Sequence, residues 1–144
     1  MQTHFQPKPG RFGIVPNLVQ GRCDATIGNN TTTTYNFGAH PAKAYINRAV
    51  VSAGTVPVSA SGTILGVLQK YDASANAAVA LTGNVDLEAL TAHEGTAATI
   101  LSTLTDAERT MDTGDTLRFV VTTNNTVGTA NVDLMVNVEL LILE

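Results

Sequence analysis

The triplet Asp112-Thr113-Gly114 is the part of this sequence that most resembles a reactive site. Aspartic proteases use this triplet and need two carboxylates that share a proton, so a short chain has to dimerise to supply the second one. Only 30 residues follow Gly114 (144 − 114), and their pattern assigns them to two strands. A tight turn that leads into a strand explains the triplet better, because Asp and Gly both favour turns. We therefore predict no enzymatic activity.

Metal and cofactor chemistry has little support in the spacing of the ligand-type residues. His4, His40 and His93 are not spaced as metal ligands, and the sequence contains no phosphate-binding loop. Asp112 and Asp115 stand across one turn, where carboxylate oxygens could hold a Ca²⁺ ion, and this possibility stays open. No cofactor is predicted.

Cys23 is the only cysteine, so the chain cannot form an intramolecular disulfide. A lone cysteine fits a protein that folds in a reducing cytoplasm. Its neighbour Arg22 could activate the thiolate slightly. The preferred interpretation is a small buried residue.

Composition indicates one domain whose surface carries few charges. Of the 144 residues, 44% are hydrophobic and 14% are charged, against about 25% charged in an average soluble domain. Such a surface is poorly protected against association, which favours one partly covered by other protein chains. A Thr-rich β surface that is soluble by itself is the alternative.

The charge is distributed unevenly along the chain. Residues 1–48 hold five basic residues against one acid, a net of +4, whereas residues 49–144 hold three against eleven, a net of −8. A basic leading segment indicates contact with an acidic surface. Its bases are too sparse for a nucleic-acid interface, and no apolar run is long enough to span a membrane.

Residues 1–40 are predicted to form an extended N-terminal arm. Prolines and glycines interrupt this segment and disfavour helices and central strands. It nevertheless carries several large apolar side chains, which indicate that the arm lies against another chain. Residues 41–144 form the predicted body.

The body is predicted to be an all-β antiparallel sandwich, jelly-roll-like in arrangement. Short strands alternate with turn signals at the spacing typical of such sandwiches. The predicted strands are 43–52, 55–60, 62–71, 77–82, 85–91, 97–104, 115–123 and 131–143. One helical turn is predicted after Thr105, because Glu108 three residues later completes a capping box.

The last strand is the most regular part of the sequence. Its alternate residues Val132, Leu134, Val136, Val138, Leu140 and Ile142 predict one face of the sandwich core. The opposite face is polar at first and becomes apolar at Leu141 and Leu143. We therefore predict that these two leucines lie at an interface with a neighbouring subunit.

The segments "ILGVLQKYDASANAAVALTG", "DLEALT", "LTDAERTMDTGDTLRFVVTTNNT" and "VDLMVNVELLI" resemble small capsid decoration (cement) proteins of tailed bacteriophages and related head-fibre proteins. The resemblance covers roughly residues 42–144 and depends on strand order and the "GDTL" turn. It implies a β-sandwich homotrimer on the outer surface of a virion, assembled in the host cytoplasm and bound to neighbouring major capsid protein subunits. It implies no catalytic residues.

For such a role, the candidate capsid contacts lie in the predicted arm. The apolar candidates are Phe5, Phe12 and Leu18, and the basic candidates for acidic capsid groups are Lys8, Arg11 and Arg22. Two alternatives stay open: a head- or tail-fibre module that binds host-surface glycans, and an unrelated sandwich that binds a small ligand in a pocket.

Overall fold

The computed structural model of the protein describes residues 15–124 and 130–143. Its elements, in chain order, are β1 (Val15–Ile27), β2 (Thr32–Ala39), β3 (Ala44–Thr55), β4 (Thr63–Asp72), β5 (Ala77–Ala80), β6 (Val85–Asp86), β7 (Gly95–Ala98), α1 (Asp106–Arg109), β8 (Thr110–Met111), β9 (Thr116–Asn124) and β10 (Ala130–Ile142). The strands form two antiparallel sheets, which confirms the predicted all-β sandwich.

The order of the strands is that of a jelly roll. The first sheet runs β1-β10-β3-β7, with β8 also paired to β3, and the second runs β2-β9-β4-β5, with β6 also paired to β4. The partners β1/β10, β2/β9, β3/β7 and β4/β5 are nested in the sequence. The chain therefore behaves as one long hairpin that winds from sheet to sheet, the arrangement of an eight-strand jelly roll.

The core lies between the sheets, where the alternation of β10 and β9 predicts it. Every inward residue of β10 from Val132 to Leu140 is buried, and Leu117, Phe119 and Val121 of β9 face them. The predicted strands 85–91 and 97–104 are much shorter in the structure. Their apolar residues, such as Leu87 and Leu90, are buried from irregular segments instead.

The predicted boundary of the arm at residue 40 is wrong, because β1 (Val15–Ile27) and β2 (Thr32–Ala39) belong to the sheets. β1 pairs with β10 along its whole length, and β2 pairs with β9. Pro16 is tolerated because β1 is an edge strand. Gly21 is needed because any side chain there would collide with the ring of Phe37. Residues 1–14 lie outside the described residues.

The predicted helical turn is confirmed as α1. The hydroxyl of Thr105 accepts a hydrogen bond from the Glu108 backbone N–H at 3.3 Å, and a Glu108 carboxylate oxygen accepts one from the Thr105 N–H at 2.7 Å. This is the reciprocal capping box. Among the described residues, no helix is long and apolar enough to cross a membrane.

Candidate interaction surface

The Asp112-Thr113-Gly114 triplet forms the predicted turn. The Asp115 N–H donates to the Asp112 carbonyl at 3.0 Å, and Gly114 has a φ of +96°, which favours glycine. Asp115 is buried, and its two carboxylate oxygens accept hydrogen bonds from the backbone N–H groups of Ala73 (3.1 Å) and Asp112 (2.9 Å). Asp112 is exposed and lies 3.5 Å from the Lys43 ammonium. The Asp115 carboxylate therefore links the β4–β5 loop, through Ala73, to the turn at 112–115.

His40 bonds this turn through its backbone, since its N–H donates to the Asp115 carbonyl at 3.0 Å and its carbonyl accepts from the Gly114 N–H at 3.1 Å. A ring nitrogen of His40 is 2.7 Å from the Ala42 carbonyl, while His93 is exposed at a turn with a φ of +64°. His4 lies outside the described residues. Within residues 15–124 and 130–143, no three His, Cys, Asp or Glu side chains are grouped so that they could hold a metal ion.

Cys23 is a buried core residue of β1. Its side chain is fully buried, and this burial raises the pKa of the thiol to about 12. A thiol with so high a pKa is protonated at neutral pH and a poor nucleophile. The idea of an activated thiolate is thus wrong, and the interpretation as a small buried residue is confirmed.

Two of the residues predicted to contact a partner, Leu18 and Arg22, lie in β1. Leu18 is 57% exposed and stands opposite Glu139 of β10. Arg22 is also exposed, but its guanidinium lies 3.3 Å from the Asp24 carboxylate and 3.5 Å from that of Asp133. Leu18 is therefore available to a partner, whereas the charge of Arg22 is already shared. The other predicted contacts, Phe5, Lys8, Arg11 and Phe12, lie outside the described residues.

Of the two leucines predicted at a subunit interface, Leu141 lies near Leu18, because its strand partner Pro16 is two residues from Leu18 along β1. By strand alternation, Leu141 points outward on the first sheet like Glu139, and Leu143 follows at the end of the strand. Leu141 is half-buried, and Leu143 is 38% exposed. We call Leu18, Leu141 and Leu143 the apolar end patch. Residues 1–14 join β1 at this same end of the sheet.

The charges beside the apolar end patch are paired. The Glu139 carboxylate accepts from the Arg48 guanidinium at 3.1 Å and from the Asn47 side-chain amide at 2.5 Å. Tyr45 of β3 stands directly opposite Leu141, and the Arg109 guanidinium stacks over its ring at 4.6 Å. A partner that covers the patch would therefore meet leucines, the paired Glu139 carboxylate and the Arg109 guanidinium stacked on Tyr45.

Two exposed features at the opposite side of the molecule were missed in the sequence. Val58, in the β3–β4 connection, is 71% exposed, although its neighbour Pro57 is buried. A shallow depression of about 290 Å³ lies beside β6 and β7. Its lining includes Asn84, Asp86, Thr96, Thr99, Val85 and Leu90. No short sequence pattern predicts either feature, because both depend on how the irregular segments between strands pack against the sheets.

Comparisons with known proteins give a distant structural likeness. No protein-family model matches the sequence, and no curated protein is significantly similar to it. A chain in the structure of infectious bursal disease virus, Gx strain, is similar with a TM-score of 0.41 and 11% sequence identity. The match covers 86% of this chain and 32% of the viral chain. A likeness at this level supports no conclusion about function.

Proposed function

We propose that this protein is a structural virion protein that decorates a phage capsid on its outer surface and stabilises it by binding neighbouring major capsid protein subunits. The observation that carries the proposal is the apolar end patch, which gathers exposed leucines where residues 1–14 join the sandwich. The resemblance of residues 42–144 to phage decoration proteins supports the identity of the partner.

The contacts are divided between the patch and the leading segment. Leu18 faces the shell, and Phe5 and Phe12 add apolar contacts from residues 1–14. Lys8 and Arg11 meet acidic capsid groups. Arg22 contributes less than these because Asp24 and Asp133 already neutralise it. Each contact is modest, but a lattice in which every copy touches several shell subunits adds them together.

Self-association is part of the proposal. Leu141 and Leu143 face a second copy, and the resemblance implies a homotrimer. The low charge content of 14% supports a surface that is partly covered by protein. Leu18 lies near Leu141, so one apolar surface serves both the copy and the shell.

Replacing the two exposed leucines tests the proposal. The double variant Leu18→Glu/Leu143→Glu is compared with Val58→Glu, which places the same charge on an exposed apolar residue at the other end. Co-sedimentation with assembled shells of the cognate major capsid protein measures occupancy. At about 1.5 kcal/mol for each leucine, the double variant should bind roughly 100-fold more weakly. Val58→Glu should bind normally.

A truncation gives a second test of the same surface. Residues 1–14 can be removed without shortening β1, whereas a deletion of residues 1–20 would remove part of its pairing with β10. The truncated protein should keep its fold and lose most of its occupancy on the shell. Full occupancy of the shell by both the truncated protein and the double variant would reject the proposed capsid binding.

The depression beside β6 and β7 favours a second candidate, a fibre module that binds host-surface glycans. Asn84, Asp86, Thr96 and Thr99 place hydrogen-bonding groups around a shallow concave surface, which suits a polar ligand. The test is binding of the isolated protein to a glycan array. Binding that Asp86→Ala abolishes and the double leucine variant retains would favour this candidate over capsid decoration.

A further inference from the structure

The long strands at the sheet edges are protected against further pairing to different degrees. Within residues 15–124 and 130–143, β1 and β2 are the long edge strands, while β5 and β7 have four residues each. β1 carries Pro16 and the exposed charges of Arg22 and Asp24, features that discourage a second strand from pairing there. β2 contains neither proline nor a charged residue. Its edge lacks these protections.

The backbone groups at the edge of β2 can be assigned from its ladder with β9. The Thr123 N–H donates to the Thr31 carbonyl at 2.9 Å, so Thr31 turns its backbone groups toward β9. In an antiparallel pair every second residue turns its backbone N–H and C=O toward the same neighbour, so Thr33 and Tyr35 also bond β9. The N–H and C=O groups of Thr32, Thr34 and Asn36 therefore point away from β9. The side chains of these three residues are exposed.

We propose that β2 pairs with β2 of a second copy of this chain, antiparallel and related by a two-fold axis at Thr34. In this register Thr34 faces Thr34 of the second copy, and Thr32 faces Asn36. Every outward backbone donor and acceptor of these three residues then has a partner. The two second sheets become one continuous sheet.

A second copy fits this edge because the pairing is complementary to itself. A two-fold pair uses the same surface twice, so like charges on it would oppose each other, and β2 has none. Opposed threonines form favourable cross-strand pairs. The register with β9 becomes irregular between Asn36 and Ala39, where Gly38 has a φ of +84°. The regular edge thus ends just after Asn36, which matches the length of the proposed ladder.

This pairing goes beyond the proposed function and does not depend on capsid binding. It uses the edge of the second sheet, whereas the apolar end patch lies on the outer face of the first. A two-fold contact gives two copies by itself and an even number when it joins trimers. Solution mass therefore distinguishes it from a trimer that forms through the patch alone.

The substitution Thr34→Pro tests the pairing. Because the Thr34 N–H points away from β9, proline there removes no hydrogen bond among residues 15–124 and 130–143, but it removes the central donor of the proposed ladder. Thr34→Val is the matched control, since it keeps the N–H and changes only the side chain. Sedimentation equilibrium of the full chain over a range of concentrations measures the mass, and circular dichroism checks the fold.

The native protein and Thr34→Val should show an even multiple of the 15.0 kDa chain, and folded Thr34→Pro should show half that mass. Hydrogen exchange of the native protein provides a measurement that needs no variant. The amides of Thr34 and Asn36 should become protected as the concentration rises. A native mass of one or three chains, an unchanged mass for folded Thr34→Pro, or fast exchange of both amides at every concentration would overturn the proposal.

Discussion

The two ends of the sandwich are held together by different kinds of side chain. At the end where β1 begins and β10 finishes, ionisable side chains are buried and bind the backbone. The Lys70 ammonium, in a residue only 4% exposed, donates to the carbonyls of Ala107 (3.2 Å) and Thr110 (2.7 Å). The buried carboxylate of Asp115 accepts from two backbone N–H groups. These bonds attach α1 and two loops to the sheets.

At the opposite end, a neutral hydroxyl has the corresponding role. Thr123 is buried, and its hydroxyl donates to the Gly28 carbonyl at 2.7 Å and accepts from the Thr31 N–H at 2.9 Å. These bonds hold the β1–β2 connection against β9. Hydrogen bonds to charged groups contribute more than neutral ones, and a backbone group that loses its charged partner is costly. The end with the buried ionisable side chains should therefore be the more sensitive to substitution.

Asp115→Ala should have the largest effect. It leaves the N–H groups of Ala73 and Asp112 without their acceptor, and two bonds to a charged group correspond to roughly 3–5 kcal/mol. Chemical denaturation measures the loss in free energy of unfolding. The control is Asp112→Ala, which removes an exposed carboxylate paired only loosely with Lys43 and should cost at most about 1 kcal/mol. Equal losses in both variants would mean that the buried carboxylate has no special role.

Thr123→Val should have an intermediate effect at the other end. The change preserves the shape of the side chain and leaves the Thr31 N–H without its acceptor, while the Gly28 carbonyl keeps only the hydrogen bond from the Thr31 hydroxyl at 3.0 Å; the cost should be about 1–2 kcal/mol. Thr122→Val is the matched control, because Thr122 is exposed on the outer face of the same strand. It should lie within about 0.5 kcal/mol of the native protein. A loss for Thr123→Val that exceeds the loss for Asp115→Ala would reverse the proposed ranking of the two ends.

Much of the fold could be predicted because it follows from local rules. The alternation of apolar residues in β9 and β10 identifies the core face, and the spacing of Thr105 and Glu108 identifies the start of α1. The turn at 112–115 follows from its Asp and Gly residues. Each of these signals depends on neighbours within a few positions, so a single sequence contains it in full.

The features that were missed depend on contacts between distant parts of the chain. Lys70 follows Leu68 in the inward register of β4, but its burial requires the carbonyls of Ala107 and Thr110, almost 40 residues away in sequence. Prolines and glycines in residues 15–39 indicated an arm, because composition does not show that β1 is an edge strand. The alternation placed Leu141 on the outer face, but its proximity to Leu18 follows only from the β1–β10 pairing.

Acid should weaken both ends together, with the smallest effect of the three tests. Hydrogen bonds from the backbone and hydroxyl of Thr105 lower the pKa of Glu108 at one end, and bonds from the Ser59 hydroxyl and backbone lower the pKa of Glu88 at the other. A carboxyl group with a lowered folded pKa stabilises the protein above its unfolded pKa of about 4.3. That contribution is lost as the pH falls through the lower folded value.

Thermal unfolding between pH 6 and pH 2.5 measures this loss. Glu88→Gln and Glu108→Gln should each reduce the decline in melting temperature below about pH 4.5, by similar amounts, because each removes one carboxylate that must be protonated. The two ends should therefore differ in their buried polar groups, which are Asp115 and Lys70 at one end and Thr123 at the other. They should respond alike to the loss of Glu88 or Glu108. If only Glu108→Gln reduced the decline, the contrast between the ends would extend to their surface carboxylates as well.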